Sequence, residues 1–201
     1  MVMKKVLVVL VLSFLVFAGC KVENVEKEVI VEQSPSVIYP IDNFEKGGTL
    51  KPFGIYITQK TSPVQPERFS GYHTGVDVEM PEELQDKDVP VYAIAEGVVK
   101  LARTASGYGG VMAVQYEIDQ QPYIAVYGHI DLKSVSVSVG DTVSAGQQLA
   151  ILGEGFSVET DGERKHLHFA MKPGTTVDLK GYVDSESSLK DWIDPMEFLL
   201  K

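Results

Sequence analysis

Cysteine is nearly missing from this chain: Cys20 is the single one in 201 residues. One cysteine excludes an intrachain disulfide and any CxxC metal or redox pair. Histidine is scarce as well. Imidazole chemistry has only His73, His129, His166 and His168 to draw on. There is no HExxH motif, no phosphate-binding glycine loop and no repeat at solenoid or propeller period. Positive charge is in deficit, with 18 Lys and Arg against 28 Asp and Glu and a net charge of −10. Such a chain repels phosphate backbones, so no nucleic-acid partner is expected. With 44% hydrophobic residues, the chain can still bury one core of ordinary size.

The one long apolar run is at the N-terminus. In "MVMKKVLVVLVLSFLVFAGC", Lys4 and Lys5 precede an apolar stretch from Val6 to Ala18. A basic start, a short apolar run and small residues at its end are the plan of a secretory signal rather than a membrane-spanning helix. "FAGC" resembles the lipobox of bacterial lipoproteins, with Phe17 in place of the more usual Leu. Cleavage would leave Cys20 as a lipidated N-terminus, which accounts for a lone thiol in an exported chain. The expected product is held to a bacterial membrane by its lipid. Lys21 after the cysteine favours the outer membrane, facing the periplasm, in a host with two membranes; otherwise the site is the cell surface. Residues 20–48 are charged, valine-rich and broken by Pro35 and Pro40, and read as a tether, the alternative being an edge strand or helix docked on the domain. About 30 flexible residues have a root-mean-square reach of roughly 30 Å.

From residue 49 to 201 the texture is that of a folded domain. "VPVYAIAEGVVKLAR" reads as two strands around Glu96-Gly97, and "GVMAVQYEID" and "PYIAVYGHI" as two more. "SVSVSV" alternates strictly before the turn at Gly140-Asp141, and "HLHFAMK" is a further strand. Short strands between turn signals predict an all-β, antiparallel sandwich or barrel-like domain. "GYGG" at 107–110 reads as a hairpin turn that can border a cleft. "SLKDWIDPMEFLL" predicts a short closing helix, with Trp192 and Phe198 packed on the domain.

Each histidine falls in one of three segments. In "HLHF", alternate side chains share a face, so His166 and His168 stand about 7 Å apart on one side. Leu167 and Phe169 take the other side and suit a core. In "GYHTGVD", His73 and Asp77 would lie about 13 Å apart on a straight strand, too far to share an ion. A bend at Gly75 would bring them together. In "VYGHI", His129 ends an apolar strand after Gly128, which permits close approach. Taken singly, each segment has an ordinary structural reading. Taken together, they form an N/O set of the kind zinc prefers.

In this order, "HTGVD", "YGHI" and "HLHF" resemble the signature of the lysostaphin- and LytM-type zinc endopeptidases. "FG" at 53–54, the strand pair "VPVYAIAEGVV", the segment "VSVGDTVSAGQQLAILGEG" and the late "DP" are similar as well, so the resemblance spans roughly residues 50–198. It implies the duplicated hybrid β fold and one zinc ion held by His73, Asp77 and His168. His129 and His166 would flank the ion as catalytic residues, and the substrate would be peptidoglycan stem peptides or cross-bridges. A monomer is expected. Ala170 replaces the glutamate that often follows "HLHF", and "FSVETDGERK" replaces the short Ser-Thr-Gly-Pro approach. With the acidic insert "EELQDKD" at 82–88, these departures bear on the shape of the cleft. A non-catalytic wall-binding or hydrolase-activating relative is the alternative. A histidine phosphocarrier would be exported away from its donors. A biotinyl or lipoyl carrier would need a lysine at a hairpin tip, which "VGDTVSAGQQLAIL" lacks.

Overall fold

The computed structural model describes residues 37–42, 44–46 and 48–201. The expected signal, the lipidation at Cys20 and most of the expected tether lie outside these residues. Among the described residues, no helix is long and apolar enough to cross a membrane.

Among the described residues, twelve strands carry the fold: β1 (Tyr56–Ile57), β2 (Gly71–His73), β3 (Gly75–Glu79), β4 (Pro90–Tyr92), β5 (Gly97–Ala105) and β6 (Gly109–Ile118), then β7 (Gln121–Gly128), β8 (Ile130–Asp131), β9 (Thr142–Val143), β10 (Gln148–Leu152), β11 (His166–Pro173) and β12 (Tyr182–Val183). Six of them form the main sheet in the order β3-β11-β7-β6-β5-β9. Two three-stranded sheets, β4-β10-β8 and β1-β2-β12, complete the architecture. Every pairing is antiparallel. Two short helices, α1 (Glu186–Leu189) and α2 (Pro195–Leu199), close the chain where one was expected. The all-β expectation holds.

Both faces of the main sheet are covered along much of β6, β7 and β11, which explains strands that are apolar on both sides. On one face Met112, Val114, Ala125, Tyr127, Leu167 and Phe169 join the larger core with residues of β4 and β10. On the other, Val111, Ala113, Ile124, Val126 and Ala170 pack with Tyr108 and Trp192. The period-2 alternation of β6, β7 and β11 is therefore an alternation between two buried layers. Inside the larger core, the hydroxyls of Tyr116 and Tyr127 satisfy each other at 2.7 Å. Phe169 meets Tyr127 and Phe44 edge-on, at centroid distances of 5.1 and 6.1 Å.

Two expectations need correction. The boundary at residue 49 is too late. Ile38 donates its N–H to Ile94, Tyr92 donates to Pro40, and Ile41 bridges Val91. Ile41 and Phe44 are at most 1% exposed, so part of the expected tether is core. Apolar side chains at Val37, Tyr39, Ile41 and Phe44 outweigh the prolines and charges around them. "SVSVSV" is the second. Val135 and Val137 do lean on the core, but residues 135–138 pair with no strand. Alternation reports one wet and one dry side and does not guarantee a ladder partner.

Truncating Phe44 to Ala should cost about 3–5 kcal/mol of unfolding free energy in urea denaturation. The 60% exposed Val139, changed to Ala, should shift it by under about 0.5 kcal/mol.

Candidate metal centre and cleft

Strand register builds the site. β11 runs between β3 and β7, placing His168 opposite Asp77 on one side and Gly128 on the other, with His166 opposite Glu79. Period-2 parity then gathers Asp77, Glu79, His166 and His168 on one face. His73 comes from β2, in a different sheet. The bend that turns its side chain back is at Thr74, not at Gly75. Thr74 is fully buried and tied down by its N–H to Gly181 and its hydroxyl to Lys180. Gly75 serves close approach instead: a Cβ there would stand 2.6 Å from the Phe169 carbonyl and 3.0 Å from the His168 ring. Gly128 does the same for Tyr108, whose ring would be 2.4 Å from an added Cβ.

The three expected ligands converge. His73 Nε2 lies 3.1 Å from His168 Nδ1 and 3.3 Å from Asp77 Oδ1, and His168 Nδ1 lies 3.1 Å from the same oxygen. Donors around a tetrahedral zinc, bonded at about 2.0–2.1 Å, stand about 3.3 Å apart. The residues therefore fit such an ion. Outer hydrogen bonds fix the tautomers that offer lone pairs inward. His73 donates from Nδ1 to the Pro52 carbonyl at 3.3 Å, leaving Nε2 for a metal. His168 Nε2 is 3.4 Å from the Tyr108 hydroxyl, leaving Nδ1 inward.

His129 and His166 stand beside this set, with ring centroids 4.2 Å apart. His166 donates from Nδ1 to the Arg164 carbonyl at 2.9 Å, so its Nε2 lone pair faces the cleft, 3.4 Å from Asp77 Oδ2. His129 has φ of 64°, in the left-handed region that non-glycine residues seldom occupy. Its Nδ1 is buried with no hydrogen-bond partner among the described residues. A strained backbone and an orphaned polar atom together mark a group kept for something outside the fold.

Burial sets the charge states. It pushes the His168 imidazole down to about 4. Burial, reinforced by the neighbouring His166, holds His129 well below its ordinary value. Burial works against ionised Asp77, but the His166, His73 and His168 rings around it outweigh that cost and hold the carboxyl well below the usual range. At neutral pH His168 and His129 are thus neutral and Asp77 is a carboxylate, and a neutral imidazole and a carboxylate are the states a metal ion takes.

The cleft above encloses about 260 Å³. Tyr108, from the "GYGG" turn, and Tyr182 form walls, and Phe69 stacks on Tyr182 at 5.7 Å. Burial pushes the ionisation of both tyrosines to higher pH than usual, keeping their hydroxyls protonated. Lys51, paired to Glu67 at 2.7 Å, lines another side. The loop 154–163 exposes Phe156 and Val158, about 80% and 81% respectively. Sequence reasoning gave no role to Tyr182, Lys51, Glu79 or Arg164. Parity was the available signal for Glu79 and Arg164: each stands two residues from a site residue on its own segment.

Fold and site define a mostly antiparallel β domain carrying a buried His–Asp–His cluster suited to a metal ion. Residues 71–179, more than half of the chain, match the peptidase family M23, and the chain belongs to that family. A search of curated proteins gave no match. Among solved structures, the catalytic domain of the antimicrobial peptidase lysostaphin from Staphylococcus simulans is 23% identical, with a TM-score of 0.54 over 78% of this chain and 95% of that one. LytU is 26% identical, with a TM-score of 0.51 over 78% of this chain and 87% of that one. A chain of the SpoIIIAH–SpoIIQ complex is 22% identical, with a TM-score of 0.52 over 81% and 99%. The likenesses to lysostaphin and to the SpoIIIAH–SpoIIQ chain are likenesses of fold.

Stripped of metal, the protein should lose stability as pH falls from about 6.5 toward 4. The unfolded imidazoles take up protons near pH 6.5 that buried His168 and His129 refuse, so stability is full above that value and declines below it. Thermal unfolding of chelator-treated protein from pH 8 to 4.5 should show this decline, and His168→Gln should flatten it.

Proposed function

We propose that this chain is a zinc metalloendopeptidase that hydrolyses peptide bonds in bacterial cell-wall peptidoglycan, in stem peptides or cross-bridges. The observation that carries the reading is the convergence of His73 Nε2, Asp77 Oδ1 and His168 Nδ1, all within 3.1–3.3 Å of one another, with His129 and His166 beside them in one cleft. Membership of peptidase family M23 supports the reaction class.

His73, Asp77 and His168 would hold the ion. Bound zinc would supply a Lewis acid that acidifies water and polarises a carbonyl. The chain's own residues then handle protons and orientation. His166 keeps its proton on Nδ1, against the Arg164 carbonyl, so Nε2 is the atom that accepts a proton from the attacking water. His129 is held neutral by burial and places its ring against His166. The pair shares proton transfer to the leaving amine and stabilisation of the oxyanion. The Tyr108 hydroxyl oxygen, next to His168 Nε2, accepts a hydrogen bond from that ring's N–H and keeps its own hydrogen for a partner in the cleft.

Export and a lipid on Cys20 belong to the same reading and are supported by the N-terminal sequence. A tethered domain would reach the wall from a membrane surface, as a monomer acting on a polymer that does not diffuse.

Residues 21–201, incubated with purified peptidoglycan, should release fragments with new peptide termini in mass spectrometry. Release should stop with chelator and with His168→Ala. His129→Ala and His166→Ala should each lower kcat by about 10²–10⁴ while zinc still binds one per chain. A folded, zinc-loaded protein that cuts nothing would overturn the enzyme reading and leave a wall-binding or hydrolase-activating role.

A further inference from the structure

Arg164 ends the loop before β11, and its side chain is buried to all but 15%. Its guanidinium forks onto Glu79, with Nε on Oε2 at 2.7 Å and Nη2 on Oε1. The same Nη2 also donates to Asp77 Oδ2 at 3.1 Å. The two oxygens of Asp77 are thereby divided. Oδ1 faces His73 and His168, while Oδ2 faces Arg164 and His166. Arg164 also touches the other half of the centre, since its carbonyl accepts from His166.

We infer that Arg164, braced by Glu79, is a positioning residue that makes Asp77 a one-oxygen metal ligand. The inference rests on the zinc reading above. A carboxylate swings easily about its last torsion, so an unrestrained Asp77 could offer either oxygen or both. Two donors on the rigid guanidinium fork lock the plane of Glu79. The remaining reach of Nη2 then fixes Oδ2 of Asp77 in line with it. A lysine could supply the charge but not the planar fork. Stability alone is a poor explanation for the arrangement. Taking an arginine and two carboxylates out of water costs about as much as their attraction returns. What distinguishes this triad from the other ion pairs of Lys and Arg among the described residues is that one member is a candidate ligand. Outer groups of this kind orient ligands and typically change metal affinity 10–100-fold when removed.

The test uses the full chain, with zinc affinity read by competition against a chromophoric chelator and geometry read from the visible bands of the cobalt(II)-substituted protein. Arg164→Gln should weaken zinc binding by about 10–100-fold and alter the cobalt bands as the carboxylate changes its mode. Arg164→Lys should recover only part of the loss. Glu79→Gln should shift affinity the same way by less, and the double variant should be no weaker than Arg164→Gln, because both act through one path. Thermal unfolding of the metal-free forms separates this from a fold defect. If Arg164→Gln does not fold, Glu79→Gln must still show the shift. Folded variants with zinc affinity within twofold of the parent and unchanged cobalt bands would overturn the inference. A parent chain that binds no zinc would instead overturn the metal reading beneath it.

Discussion

Strand β11 is hydrogen-bonded along both edges, to β3 on one side and β7 on the other. That double pairing is the constraint on which the rest depends. It fixes register, and in a sheet a slip of one residue would exchange every side chain between the two faces. With the register held, Leu167, Phe169 and Met171 enter the larger core while His166 and His168 enter the cleft. The apolar residues thus hold the histidines in place by the same geometry that makes them neighbours.

The centre is costly for the fold to maintain. It gathers four imidazoles, a carboxylate and an arginine in a region where nearly every one is under 5% exposed. Neutral His129 and His168 lower that cost, and the Arg164–Glu79–Asp77 chain neutralises part of what remains. The left-handed backbone at His129 and its orphaned Nδ1 are local concessions. Such sites persist where surrounding structure over-determines them. Here the surroundings are a sheet packed on both faces, with Gly75 and Gly128 letting neighbours close in where any Cβ would clash.

Much of this was legible in the linear order of residues, and the limits of that reading have identifiable causes. "HLHF" gave both the core face and the site face of β11, because strand parity is a local property. "GYHTGVD" announced a bend but placed it at Gly75. Thr74 bends because it is anchored to Gly181 and Lys180, more than a hundred positions away. Residues 37–46 read as tether, because a proline-broken stretch reveals its core role only when a cavity for Ile41 and Phe44 exists. "SVSVSV" read as a strand, because alternation records burial and cannot show whether a partner strand is available.

The sequence by itself determined the antiparallel β class, the three histidine-bearing segments and the family pattern they form. These follow from periodicity, turn residues and fixed short spacings, all of which act over a few positions of chain. Only the tertiary structure decided which atoms meet. It selected Nε2 of His73 and Nδ1 of His168 through their outer hydrogen bonds, and divided the two oxygens of Asp77 between the donor set and Arg164. It also recruited Tyr108 and Tyr182 as cleft walls. Those choices depend on distances of about 3 Å between residues up to about a hundred positions apart. Such distances are set by sheet register and packing, which no local stretch of sequence contains.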